Sequence, residues 1–270
     1  MKVSVIISTY NAPEWLQKVL WAYCVQDYKN FEIVVADDGS GEETRQLIEH
    51  FKYNTSLDIK HVWHEDRGYR RQTILNKAIK EATAEYLIFT DGDCIPRKDF
   101  VRTHVRMARK GYFLSGGYCK LTMEMSKAIS LDHIVSQEAF SIQWLSSIGN
   151  LGHSQTRKLF LKGIFAAGMD FITTAKATFN NCNSSAWKED ILAVNGYDER
   201  MLYGGSDREI GERLMNIGVY GIQIRHRAIV VHLEHERSYK TKESIDRNIN
   251  IRNRTRLHKL RWTRHGIVQG

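Results

Sequence analysis

The chain has only two prolines, Pro13 and Pro96, in 270 residues. That scarcity argues against long proline-rich linkers. The four cysteines, Cys24, Cys94, Cys119 and Cys182, are widely spaced and form no CxxC pair. A disulfide framework and a thiolate zinc cluster are therefore both disfavoured, and reduced thiols of a cytoplasmic protein are expected. No apolar run approaches the ~18 residues of a membrane span. The opening MKVSVIISTYN has one lysine and a short apolar stretch; it reads as a strand, not a signal peptide. What remains is ordinary globular material, 42% hydrophobic and 26% charged. A packed core is feasible, and the length suits one large domain or a domain with an extension. The formal net charge is +8. Such an excess favours anionic partners: nucleic acid, acidic lipid or a phosphorylated substrate.

The first 115 residues alternate between strand and helix patterns. VSVIIS (3–8), FEIVVA (31–36), IKHVWH (59–64) and YLIFT (86–90) read as strands. Between them lie helical stretches. One follows Asn11, a candidate cap, with Pro13 in its first turn. Another follows Ser40 and Glu43, which have capping-box spacing, and a third spans 68–82. The strands are apolar on both faces, which predicts a parallel sheet covered by helices on both sides. Ligands of such sheets sit beyond the carboxyl ends of the strands. The polar sets at those ends are Thr9-Tyr10-Asn11, Asp37-Asp38-Gly39-Ser40 and Asp91-Gly92-Asp93, and they should meet on one edge. Past residue 115 the pattern changes: 126–149 and 207–218 read as helices, and 220–224 and 228–232 as short strands.

Two carboxylates, Asp91 and Asp93, close a buried strand. Like charges so close need either solvent or a cation. Alone, the triplet is equally explained by a turn. At the ligand edge of a basic chain, a hard divalent ion bridging to a diphosphate becomes the sharper reading. Asp38 is either a turn residue or an acceptor for a base N–H. Arg67, Arg70 and Arg71 are either a solvated face or a grip on diphosphate oxygens. Asp207 follows Gly204 and Gly205 at a helix start and is either an N-cap or a general base. His232 and His235, in HLEHERS, are either metal ligands or the opening of a helix.

Taken together, VSVIISTYN, VVADDGS, HVWHEDRGYRRQTILNKAI, LIFTDGDCIP, NNCNSSAWKEDILAVNGYDE and YGGSDREIGERL resemble the family 2 glycosyltransferases of GT-A fold. Within these they resemble the group typified by the N-terminal transferase domain of chondroitin polymerase, with a galactosyltransferase-like C-terminal segment. The match runs from residue 3 to about 238. It implies an α/β, Rossmann-like, mixed but mainly parallel sheet flanked by helices. Residues 1–115 would be the nucleotide-sugar half, 116–238 an α-rich acceptor and catalytic half, and 239–270 a basic extension with a helix. The implied reaction is inverting transfer from a UDP-sugar to a glycan or lipid-linked acceptor of bacterial polysaccharide or lipopolysaccharide type, with Mn²⁺ or Mg²⁺ as cofactor. By this resemblance Thr9, Tyr10 and Asp38 hold the nucleobase, and Asn11, Asn76 and Gly92 belong to the same nucleotide-sugar set. Arg70 sits near the diphosphate, Asp91 near the ribose or metal, and Asn183 on the donor-sugar side. Asp93 and His232 are the implied metal ligands, with His232 preferred over His235. Asp207 is the implied base, and Gly204 and Gly205 lie beside the acceptor.

Two departures bear on this reading. Ser206 stands where many relatives have Glu, and Leu75 where many have Arg. HKLRW (258–262) lacks the glutamine of the QxxRW signature, and no membrane spans follow it, so a single transfer per binding event is expected. The basic tail, Lys240 to Arg264, suggests peripheral contact with anionic lipid at the inner face of the membrane. Two competing readings are a nucleotide-sugar-binding protein with impaired catalysis and a nucleic-acid-binding protein. The latter lacks any helix-turn-helix, zinc finger or RNP motif, so no nucleic acid is expected as a partner.

Overall fold

The computed structural model describes residues 1–161, 163–236 and 240–269. In chain order the first half gives β1 (Val3–Thr9), α1 (Pro13–Cys24), β2 (Phe31–Asp37), α2 (Glu42–Asn54), β3 (Ile59–Trp63), α3 (Arg71–Glu81), β4 (Tyr86–Asp91), β5 (Cys94–Pro96), α4 (Phe100–Met107) and β6 (Tyr112–Ser115). There follow β7 (Gly117–Lys120), α5 (Met123–Ala128), α6 (Leu131–Val135), a 3₁₀ turn at Glu138–Phe140, α7 (Ile142–Ile148), α8 (His153–Phe160) and α9 (Gly163–Ile172). The remainder is β8 (Ser184–Trp187), α10 (Lys188–Ala193), α11 (Ser206–Asn216), β9 (Tyr220–Gln223), β10 (Ile229–His232) and α12 (Lys242–Leu257).

The main sheet has the order β3-β2-β1-β4-β8-β6-β9. Strands β1 to β4 run parallel, as their two-sided apolar pattern predicts; β8 is antiparallel to both β4 and β6, and β6 is parallel to β9. Successive side chains of β1 point to opposite faces. Val3, Val5 and Ile7 meet Leu16, Val19 and Leu20 of α1 with Ile48 and Phe51 of α2. Ile6 joins the other face, with Ile74, Ala78 and Ile79 of α3 and Ile210 and Leu214 of α11. The mixed, mainly parallel α/β architecture is thus present. A second sheet, β5-β10-β7, sits beyond the end of β4. It aligns His232 with Cys94, beside Asp93.

Three local expectations change. Ser40 and Glu43 form no capping box. Ser40 instead accepts from the Asn11 N–H at 2.8 Å and donates its own N–H to Asp37 at 2.8 Å, so α2 starts at Glu42 after Gly41. Asn11 does not cap α1; its side chain accepts from Gly41 N–H at 3.0 Å, tying the β1 and β2 loops together. The helix expected over 126–149 is several short pieces, because Ser130 and Ser141 each accept a backbone N–H three residues on and begin a new turn.

The basic tail is structural as well as charged. Helix α12 packs on α11, where Arg252 pairs with Glu212 and Thr255 donates to Glu209 at 2.8 Å. The boundary expected at 238/239 lies outside the described residues, as do Arg237 and Ser238 of HLEHERS.

Candidate active site

The register of β1 fixes the site. Because β1 lies between β2 and β4, Thr9 stands beside Asp37, and Ser8 beside Asp91. The three polar strand ends therefore share one edge, where a cleft of about 1010 Å³ opens. Thr9, Tyr10, Asn11, Asp38, Arg71, Asp91, Gly92, Asp93, His232 and His235 all line it. Gly92 lies tight against β1: its N–H donates to Ser8 O at 2.8 Å, and a Cβ would stand 3.1 Å from Thr9 Oγ1, so a side chain there would press on Thr9. The Thr9 hydroxyl is buried and has no hydrogen-bond partner among the described residues, which suits a group awaiting a ligand.

Asp38 is held from two sides. His64 Nε2 bonds one carboxylate oxygen at 2.8 Å, and the Arg70 N–H donates to the other at 3.0 Å. Burial raises its pKa above the ordinary value, while His64 and the Arg70 N–H oppose the rise. Tyr10, half exposed, donates to Asp66 at 2.8 Å. Arg70 reaches the site through its backbone; the guanidinium lining the cleft is that of Arg71. Arg71 pairs with Asp91 and donates to Ser8 Oγ at 2.8 and 3.0 Å.

Two expected ligand contacts are corrected. Asn183 is fully buried. Its amide donates to the carbonyls of Gly117 and Ala228, and its oxygen faces His104 Nε2 at 3.0 Å. Asn76 donates to Tyr197 O and Glu199 and accepts from the Tyr197 N–H. Neither lines the cleft. Both amides are saturated inside the protein and act as braces between elements.

The carboxylate of Asp93 faces two imidazoles. His235 Nε2 stands 2.9 Å from Oδ2, and His232 Nε2 3.9 Å from Oδ1. The rings stack with centroids 5.7 Å apart. Each Nδ1 lies 2.8 Å from a backbone carbonyl, Leu233 O or Glu236 O, and so donates its proton there. That leaves each Nε2 lone pair turned toward a carboxylate, the arrangement of metal-binding histidines. Burial alone would raise the Asp93 carboxyl; positive charge at His232 and His235 and a hydrogen bond from His235 outweigh it and pull it down to about 2, so the Nε2 positions stabilise the carboxylate when they carry protons and are open to a metal when they do not. Cys94 completes the cluster. Burial raises its pKa well above the ordinary value, so it stays a thiol and donates to Asp93 at 3.2 Å. A carboxylate with imidazoles suits Mn²⁺ and, less well, Mg²⁺.

Asp207 lies in the first turn of α11, part-buried, with Gly205 before that helix at φ 82° and Gly204 at φ 100°. Its pKa is raised by burial, against the Arg208 N–H bond at 2.8 Å and the nearby Arg71 charge. Ser206 is turned inward and accepts from Gln72 Nε2 at 2.9 Å, joining α11 to α3. The glycine loop is clamped by Asn248 of α12, whose amide donates to the carbonyls of Leu202, Tyr203 and Gly204 at 2.7–3.0 Å. Asn248 was invisible in sequence because its partners are 44–46 residues away. His64, the Asp38 partner, stood within a quoted motif but carried no signal of its own.

The model of the family described as Glycosyl transferase family 2 matches residues 4–141, just over half of the chain. An uncharacterized glycosyltransferase of Bacillus subtilis, YfnE, is 28% identical over 92% of this chain and 69% of its own length. The chondroitin synthase of Escherichia coli is 26% identical over 81% of this chain and 33% of its own length. Among solved structures, the mannosyltransferase of Pyrobaculum calidifontis in complex with GDP-Man and Mn²⁺ aligns with a TM-score of 0.58 at 19% identity, covering 94% of this chain and 61% of that one. TarS 1–349 of S. aureus in complex with UDP-GlcNAc aligns with a TM-score of 0.59 at 16% identity, covering 88% and 60%. The chain thus spans from a third to about two thirds of the length of these proteins.

Proposed function

The chain belongs to glycosyl transferase family 2, and from that premise we propose that it moves a sugar from a UDP-sugar to a hydroxyl of a glycan or lipid-linked acceptor, with inversion. The observation that carries this reading is the meeting, around one cleft, of Asp38, Arg71 and the Asp93–His232–His235 cluster; Asp207 is not among the lining residues of that cleft and is linked to it by the charge of Arg71, which acts on its carboxyl. Thr9, Tyr10, Asn11 and Asp38 take the nucleobase end, with Asp38 accepting a base N–H. Asp91, held by Arg71 and Ser8, faces the ribose. Asp93 with His232 and His235 would hold the divalent ion, which when bound neutralises charge on the leaving diphosphate. Asp207 takes the proton of the acceptor hydroxyl as its oxygen forms the new bond to the anomeric carbon. The bond from that carbon to the diphosphate breaks, and UDP leaves with the electron pair.

The TarS complex holds a uridine nucleotide and the Pyrobaculum complex a guanosine one, so a panel of UDP- and GDP-sugars tests the donor. With Mn²⁺, slow release of UDP by donor hydrolysis is expected from at least one UDP-sugar and from no GDP-sugar. No release with any donor and any divalent ion would overturn the reading.

The same reading includes peripheral contact with anionic lipid. No helix among the described residues is long and apolar enough to cross a membrane. Ile164, Phe165, Phe171 and Ile172 of α9 are exposed, and the net charge of +8 complements acidic lipid. Phosphatidylglycerol vesicles should sediment the protein at low salt, and the double variant Phe165→Asp, Phe171→Asp should stay in solution. Equal sedimentation of the two would remove α9 from the contact.

A further inference from the structure

The end of β3 supplies one histidine to each of two neighbouring aspartates, Asp37 and Asp38. The register pairs Asp37 with Trp63, and the next residues on, Asp38 and His64, continue side by side. His61 Nε2 lies 2.8 Å from Asp37 Oδ2, and His64 Nε2 lies 2.8 Å from Asp38 Oδ1. The two pairs differ in what their carboxylates face. The second oxygen of Asp37 accepts the Ser40 N–H, and Asp37 does not line the cleft, whereas Asp38 does. The His61 pair closes a turn. The His64 pair stands behind a group open to the cleft.

The hydrogen of the His64 ring is fixed from both ends. The ring is buried, with Nε2 against a carboxylate and Nδ1 3.4 Å from the ammonium of Lys77 in α3. An ammonium only donates, so Nδ1 keeps its lone pair and Nε2 carries the hydrogen that Asp38 accepts. The Arg70 N–H donates to the other Asp38 oxygen at 3.0 Å. His64 and Arg70 stand at the two ends of the loop between β3 and α3, and that loop brings Gly68 and Tyr69 to the cleft. One acceptor position on each Asp38 oxygen is thereby taken, and one on each remains. Burial works against the charge of this carboxylate, and the bonds from His64 and Arg70 sustain it.

We propose that His64 is a positioning residue for nucleobase recognition: by donating to Asp38 it aims an ionised carboxylate at the base, and so sets the choice between a base with a ring N–H and one with a lone pair at that position. The inference rests on the reading of Asp38 as the base acceptor. Uracil carries hydrogen at N3, which a carboxylate accepts. Cytosine has a lone pair at N3, which the same carboxylate repels. A neutral or misdirected Asp38 loses that distinction. His64 does not line the cleft, so it acts through Asp38, and Lys77 acts through His64 by holding the tautomer.

Calorimetric titration of UDP and CDP, each with Mn²⁺, reads the selectivity. Wild type should bind UDP at least about tenfold more tightly than CDP, the scale of one hydrogen bond to a charged group. His64→Leu removes the donor, and the amide of His64→Asn stops short of the Nε2 position. Both variants should weaken UDP by about tenfold and change CDP by no more than about twofold, so the preference collapses. His64→Gln should keep the preference, because its amide nitrogen reaches the Nε2 position and donates there. His61→Leu is the control: it breaks the equivalent bond to Asp37 and should lower the melting temperature while the preference stays. Nitrogen NMR of the wild-type histidine rings should find the His64 hydrogen on Nε2.

The proposal is overturned if His64→Leu and His64→Asn keep the preference, or if they weaken UDP and CDP alike, as a loss of loop structure would. It is overturned equally if folded His64→Gln loses the preference, or if the His64 hydrogen lies on Nδ1 alone. Asp38→Asn separates these failures from a failure of the reading beneath them. If that variant keeps the preference, or if wild type shows none, Asp38 is not the base acceptor. If Asp38→Asn loses the preference and the His64 variants keep it, only the role of His64 falls.

Discussion

Asp207→Asn should lower kcat by about 10²–10⁴-fold, the range of a lost general base, with UDP affinity unchanged. The amide keeps the size and the bond to the Arg208 N–H but cannot accept the acceptor's proton. A pH signature accompanies the loss. Burial raises the Asp207 pKa, so the wild-type rate should fall on the acid side at a pH above the ordinary aspartate value of 3.8. That limb should be missing from the residual activity of the variant. Stability should move the other way. With a folded pKa above the unfolded one, the carboxyl binds its proton more tightly in the folded state. The resulting stabilisation is complete below the unfolded pKa and is lost as pH rises through the folded one. Near pH 7 the ionised, part-buried carboxylate is therefore a burden, and the variant should melt no lower than wild type. Thermal melts from pH 4 to 8 alongside initial rates check both halves. Full activity in Asp207→Asn would remove Asp207 from the chemistry.

How much of this was legible in the sequence depended on how locally each feature was specified. The parallel strands β1 to β4 announced themselves as apolar on both faces, and the sheet then dictated that their polar ends share an edge. Strand β8, with the sequence SSAW, carries no such signal; only its pairing with β4 and β6 makes it a strand. Ser40 and Glu43 had the spacing of a capping box, but Asp37 and Asn11 claimed the serine, and tertiary contacts overrode a local preference. Asn76 and Asn183 were polar residues near functional motifs. Their amides point inward, a direction spacing alone does not reveal. The choice between Arg70 and Arg71 turned on one residue of rotation at the start of α3, within the ordinary uncertainty of a helix end. The tail was read by its charge, and its structural part, Asn248 holding the glycine loop, depends on contacts far apart in sequence.

The second large effect is expected at Asp93. Replacing it with Asn keeps the shape but removes a carboxylate that both His232 and His235 face. Mn²⁺ binding in the presence of UDP, read by the loss of the free-ion electron paramagnetic resonance signal, should weaken by at least about 100-fold, beyond the 10- to 100-fold typical of losing a supporting residue around a metal. His235→Ala and His232→Ala should each weaken it by about tenfold or more. His235 is expected to show the larger effect, because its Nε2 is nearer the carboxylate, 2.9 Å against 3.9 Å. Chelation by EDTA should silence wild-type transfer, and added Mn²⁺ should restore it. The variant also separates a metal site from an ordinary ion pair. If Asp93 served only to pair with the histidines, its removal would lower the melting temperature and leave Mn²⁺ binding as in wild type. That result, or transfer indifferent to EDTA, would overturn the metal assignment. The carbonyl bonds at both Nδ1 atoms leave the two Nε2 atoms facing one carboxylate, where either a shared cation or added protons must sit, and Mn²⁺ binding by the variant tells the two apart.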